Sequence, residues 1–393
     1  MEEIIKHGIS FFKLVFTYII SKMFFFKLKS KDIWIIAERS SEARDNGYHL
    51  FKYIRENNPE INIYYCITKN SPDKEKIKKL GNLIEFGSFK HYLYYIVSTK
   101  KISTHIGGYM PDEKVCRHME EILKIKSKKI FLQHGIIQHY HEYLSKKYTK
   151  LSLFVSGAEK EYKFIKNNFG FNDEVKYLGL ARYDNLLDYK SEKIILIMPT
   201  YRAWLWFNNK STITDDEISI FKSSEYYKNY INLINNKKLI ALLNKYRYNI
   251  IFYPHFEIQK YIPIIEKNIK NDRVIIATKE KYDVQELLKR SKVLITDYSS
   301  IHFDFAYMKK PIIYYQFDYE KFLDKHYQKG YFDYNEHGFG RVEISEAGVV
   351  NSIENILKNG GENQELYIDR INAFFTLRDN KNCERNFEAI KSI

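Results

Sequence analysis

The chain has 393 residues, 45% of them hydrophobic and 28% charged, which excludes a disordered chain and exceeds one ordinary hydrophobic core. Against 49 Asp and Glu stand 63 Lys and Arg, and the net charge of +14 favours anionic partners such as lipid headgroups, phosphate polymers, nucleotides or nucleic acid. Cys66, Cys116 and Cys383 lie far apart without a CxxC pattern, which argues against a disulfide framework and a zinc site and suits a reducing cytoplasm.

From Ile4 to Phe26 the chain is apolar but broken by Lys6, His7, Lys13 and Lys22, and Lys27, Lys29 and Lys31 follow in place of a small-residue cleavage site. The stretch between Lys13 and Lys22 falls short of the roughly 20 residues a spanning helix needs. Residues 1–30 are therefore expected to form an amphipathic interfacial helix, apolar side in the acyl boundary and lysines at the headgroups. A helix packed on the protein's own core is the alternative.

Strand and helix patterns then alternate. Buried-strand runs cover Asp32–Ala37, Ile61–Thr68, Asn82–Phe86, Ile102–His105, Ile130–Gln133 and Leu153–Ser156, with helical spacing over Gly47–Glu56. The pattern restarts at Lys193–Pro199 and continues through Asn249–Tyr253, Val274–Ala277, Val293–Thr296 and Pro311–Tyr315, with helices over Tyr226–Arg247 and Val284–Ser291. Two doubly wound α/β domains facing a cleft are expected, over residues 31–185 and 186–365, with a C-terminal helix over 366–393 returning to the first. That is the architecture of the GT-B fold, in which ligands bind off the carboxyl ends of the strands.

Four segments sit at such ends. In Phe131–Gln138 (FLQHGIIQ), His134 has a pKa range suited to a general base and Gly135 allows close backbone approach. Arg202, in Pro199–Arg202 (PTYR), can fork onto phosphate oxygens. His255, in Phe252–Phe256 (FYPHF), follows Tyr253 and Pro254 and can stabilise a leaving phosphate. In Ile295–Pro311 (ITDYSSIHFDFAYMKKP) a strand ends at Thr296, and Asp297, Ser299 and Ser300 open a helix that carries Asp304 on its first turns. Taken alone, each has a plain structural reading: a strand-end histidine, a solvated arginine, an ordinary N-cap.

Together they resemble the CDP-glycerol glycerophosphotransferase family, whose members build teichoic acids and related capsular polymers. The signature-like run is TDYSSIHFDFAYMKKPIIYYQFDYEKF, with QHG, PTYR and YPHF in the family's order, AERSSEARDNGYHLFKYIREN upstream and KGYFDYNEHGFGRV (Lys329–Val342) downstream. The resemblance covers roughly residues 32–360 and implies a GT-B-like enzyme that binds CDP-glycerol mainly through its C-terminal domain. It implies His134 and His255 as catalytic residues, and Gln133, Gly135, Ile136, Ile137, Arg202, Tyr253, Pro254, Ser299, Ser300 and Asp304 as donor-binding. Gln133 departs from the aromatic expected before the His-Gly pair, which leaves the donor's polyol open.

The implied reaction moves glycerol phosphate, or a related polyol phosphate, from CDP-glycerol to a hydroxyl of a lipid-linked polyanionic acceptor and releases CMP. No cofactor or metal is expected, because no acidic cluster with ligand spacing stands out and cationic side chains can carry the charge. A peripheral position on the inner leaflet of the cell membrane follows from the N-terminal segment and the basic surface. The lysine runs Lys100-Lys101, Lys124–Lys129 and Lys146–Lys150 can contact phosphate, or simply be solvated faces. A GT-B glycosyltransferase acting on a nucleotide sugar is the nearest rival. Nucleic acid is not an expected partner, since no RNP, KH, zinc-finger or helix-turn-helix signature occurs.

Overall fold

A computed structural model describes residues 2–23, 31–205, 213–325 and 330–393. Phe24–Phe26, Lys27, Lys29 and Lys329, named above, lie outside the described residues. The chain divides into two units, the first comprising Met1–Ile136, His141–Asn185 and Leu377–Ile393, the second Ile137–Tyr140 and Leu186–Thr376.

In the first unit the described strands are β1 (Trp34–Ala37), β2 (Ile63–Ile67), β3 (Leu83–Glu85), β4 (Lys100–Ser103), β5 (Lys128–Phe131), β6 (Leu153–Ser156) and β7 (Val175–Tyr177). They pair in parallel in the order β3-β2-β1-β4-β5-β6-β7. The second unit holds β8 (Ile194–Ile197), β9 (Asn249–Phe252), β10 (Val274–Ile276), β11 (Val293–Thr296), β12 (Ile312–Tyr315) and β13 (Gly340–Glu343). These too are parallel, in the order β10-β9-β8-β11-β12-β13. Central strands such as WIIA and IILI are buried at every position, as sheets covered by helices on both faces require. Strand order reverses between β1 and β4 and between β8 and β11, so each unit has its switch point at the carboxyl ends of those pairs.

The edge strands β7 and β13 carry no long apolar run and were not read from the sequence. Gly340 opens β13 because a Cβ there would lie 1.8 Å from the Ile312 carbonyl oxygen. The helix expected over Tyr226–Arg247 is two helices, Glu225–Ile234 and Lys237–Tyr246. Asn236 caps the second by accepting from the Leu239 N–H, a use for which Asn is better suited than for helix interiors.

The single C-terminal helix expected over 366–393 is likewise two, Glu365–Phe374 in the second unit and Asn382–Lys391 in the first. Asp184 holds the start of the latter, accepting from the backbone N–H of Asn382 and of Cys383 at 3.0 and 2.8 Å. Cys383, Phe387 and Ile390 then enter the first unit's core beside Trp34, Leu50, Phe51 and Ile54. All three cysteines are free and buried.

The N-terminal helix, Glu2–Met23, packs on the first unit through a small, mostly polar face of Ser10, Leu14, Thr17 and Ser21. His7 Nδ1 meets Asp112 at 2.8 Å, and Lys13 Nζ donates to the Gly87 carbonyl at 3.0 Å. Its opposite face leaves Ile5, Ile9, Phe12, Phe16, Ile19 and Met23 exposed, with Phe12 62% exposed and Phe89 of the neighbouring helix (Phe89–Val97) beside Phe16. At Glu3–Met23 the helix is long and apolar enough to cross a bilayer by length and composition alone, longer than the lysine spacing implied.

Candidate functional site

In the first unit the loops after β1, β4 and β5 meet around two histidines. His105 and His134 stack with centroids 4.7 Å apart and planes 7° from parallel. Neighbouring protein displaces water from the His134 ring, and the charges of Arg182 and Arg39 add to this, so its pKa falls to about 4. The residue is nevertheless exposed to solvent, and its ring hydrogen-bonds the Thr104 backbone. At neutral pH His134 is thus an uncharged imidazole with one nitrogen bonded to a carbonyl, which leaves a lone pair on the other: the state a general base needs. His105 is held down to about 3, by burial first and then by His134 and Arg39.

Gly135 is half-buried, but the left-handed residue of this turn is Gln133, at φ 48°. Gln133 is itself buried, its amide donating to the Val155 carbonyl at 2.9 Å and to Glu161 at 3.1 Å. Ile136 and Ile137 are buried as well. These three side chains face the interior, and of the HG segment only His134 and Gly135 reach solvent.

In the second unit the loops after β8, β9 and β11 leave three adjacent strands at one edge. His255 is half-buried and stacks on Tyr201 at 4.8 Å, with Phe256 at 4.2 Å on another side. Its Nδ1 accepts from the Glu257 N–H at 3.4 Å, so the neutral ring carries its proton on Nε2, a donor. Tyr253 and Pro254 are buried beneath it, and Pro254 accepts from Gln259 at 3.0 Å. Ser299 and Ser300 are half-buried at the start of the helix Ile301–Tyr307, and the Ser300 hydroxyl makes no capping bond. Asp304 is buried.

Arg202 sits elsewhere than on a ligand surface. It is fully buried, forking onto Asp318 at 2.7 and 3.0 Å while Nη1 donates to Asp297 at 2.8 Å and to the Thr200 carbonyl at 2.7 Å. Tyr298 donates to Asp318 at 3.0 Å and lies over the guanidinium, 5.0 Å away. Asp297 also accepts from the Thr200 and Tyr298 N–H groups at 2.8 and 2.6 Å. One cation against two carboxylates leaves no positive charge to spare for a phosphate, and this cluster ties the loops after β8, β11 and β12 together. The phosphate role expected for Arg202 has no support here, and its partner Asp318 lies 116 residues away with no local signal in the sequence.

Also missed were His105, Arg182 and Lys279. Lys279 is exposed, with its ammonium 5.9 Å from the centre of the Phe256 ring, which sets a cation beside the His255 loop. In the lysine runs, Lys101 and Lys129 pair with Glu120, Lys146 with Glu174, and Lys150 with Glu121, so much of their charge is neutralised within the protein.

The chain is 37% identical over 366 residues to the minor teichoic acid biosynthesis protein GgaB of Bacillus subtilis (strain 168), covering 92% of this chain and 40% of that protein. It is 23% identical over 354 residues to a teichoic acid poly(glycerol phosphate) polymerase of the same organism, covering 84% of this chain and 44% of the polymerase. It thus spans about two fifths of the length of these curated relatives. The solved wall teichoic acid polymerase TagF matches with TM-score 0.66 and 17% identity over 98% of both chains, so the two share a fold. A variant of that polymerase soaked with CDPG matches with TM-score 0.64 and 16% identity, over 98% of this chain and 97% of the other. With the family model for CDP-glycerol:poly(glycerophosphate) glycerophosphotransferase matching residues 18–392, the chain belongs to that family.

Proposed function

We propose that the chain transfers glycerol phosphate, or a related polyol phosphate, from CDP-glycerol to a hydroxyl of a lipid-linked cell-envelope polymer, releasing CMP. Family membership over residues 18–392 supports the reaction class, and the uncharged, solvent-open His134 at a strand end is the observation that carries the chemistry. The acceptor oxygen attacks the glycerol-linked phosphorus, His134 takes the hydroxyl proton, and the bond from that phosphorus to the CMP oxygen breaks with its electron pair leaving on CMP. His255 Nε2–H, the Ser299 and Ser300 hydroxyls and the Lys279 ammonium are the groups suited to the phosphate charge. Arg202 acts by holding the loop that carries Ser299 and Ser300 to the loops after β8 and β12. Such transfers rest on positioning and electrostatic stabilisation, with little covalent chemistry from the protein.

The same reading puts the chain on the inner leaflet of the cell membrane. The N-terminal helix turns its small polar face to the first unit and its apolar face outward, flanked by Lys6, Lys13 and Lys22. A helix docked along one side suits lying in the headgroup boundary more than crossing it. Purified protein given CDP-glycerol, CDP-ribitol and UDP-sugars in turn, with a lipid-linked acceptor, tests the reaction. Turnover of a CDP-polyol with CMP release is expected. Turnover of UDP-sugars alone would make the chain a glycosyltransferase on the same fold.

A further inference from the structure

The turn that presents His134 is held from outside itself. Gln133 adopts a left-handed backbone at φ 48° that a non-glycine residue keeps only under constraint. Asn46, completely buried, donates its amide to the Gln133 carbonyl at 2.7 Å and accepts from the Arg182 N–H at 3.0 Å. Arg182, 5% exposed, uses Nη1 twice, for the His134 carbonyl at 3.0 Å and for Asp45 at 2.7 Å. Asp45 is the N-cap of the helix Asn46–Asn57, so the HG turn is bolted to the start of that helix.

We propose that Asn46 and Arg182 form a clamp that fixes the His134 backbone and sets the Arg182 charge beside the turn that carries the ring, which makes both positioning residues for the transfer proposed above. The inference rests on that reading for its purpose, though not for its geometry. The titratable and charged groups around the ring are Arg182 from the segment Ala181–Leu186, Arg39 from the loop after β1, His105 from the loop after β4, and His141 downstream in its own loop. Arg182 and Arg39 both disfavour the imidazolium, and Asp45 offsets part of the Arg182 charge.

The test is an NMR titration of the His134 ring in the full chain, assigned with His134→Ala, alongside CMP release from CDP-glycerol. Arg182→Gln is expected to raise the ring's proton affinity by roughly 3- to 10-fold and to lower kcat with little change in KM for CDP-glycerol. Asp45→Asn, which keeps a good N-cap, is expected to lower that affinity, because the Arg182 charge is then unopposed. Arg182→Lys should keep both the wild-type titration and most of the activity. A merely structural clamp predicts no opposition of sign. An unshifted His134 titration in Arg182→Gln and Asp45→Asn would overturn the proposal, and if the Gln variant does not fold, the Asn variant decides alone. A wild type that releases no CMP would overturn the transferase reading, while the titration, which needs no substrate, would still decide the clamp.

Discussion

At the residue scale, the chemistry turns on which polar groups remain unspent. His134 reaches solvent and stays neutral down to about pH 4, whereas Arg202 is saturated by Asp297 and Asp318. His134→Ala is expected to lower the rate of CMP release by about 10²- to 10⁴-fold, the range of a lost general base, with the fold intact by circular dichroism. Protonation removes the base, so kcat/KM should hold its value from neutral pH downward and bend near pH 4, well below the 6.5 of an ordinary histidine. Arg202→Ala fails for a different reason. It strands two buried carboxylates, which costs on the order of 3–5 kcal/mol and is read as a lower urea midpoint.

At the element scale, the sheets were legible and the clamps were not. Fully apolar runs such as Ile194–Ile197 and Val293–Thr296 announce buried parallel strands. Short polar edges such as Val175–Tyr177 do not. The strand-end histidines could be picked out locally, because a strand followed by His-Gly or Pro-His is visible in a few residues. Gln133 and Arg202 were misleading because burial is decided by partners distant in sequence, Val155 and Glu161 for the first and Asp318 for the second. The last helix, Asn382–Lys391, shows the same dependence, since its apolar side is completed by strand β1 and the helix Asn46–Asn57. Phe387→Ala should destabilise the first unit by about 3–5 kcal/mol in equilibrium unfolding. On the N-terminal helix, Phe12→Asp with Phe16→Asp should reduce sedimentation with anionic vesicles severalfold and leave the half-buried His7–Asp112 contact undisturbed.

At the scale of the whole molecule, several histidines are stored uncharged. Burial holds His91 and His105 at about 3 and His134 at about 4, from an ordinary 6.5. Between those values the unfolded chain binds protons that the folded chain refuses, so stability is full above about pH 6.5 and is lost as pH falls toward 4 and 3. Urea midpoints at pH 7.5 and pH 5 should differ in that sense, and His91→Gln should flatten the slope by close to one proton.

The reaction itself is tested most directly by CMP release from CDP-glycerol in the presence of a lipid-linked acceptor, comparing wild type with His134→Ala and His255→Ala. Acceptor-dependent release by the wild type, lost in both variants, is the expected result. Release that persists unchanged in His134→Ala, or a wild type inert toward CDP-polyols, would contradict it.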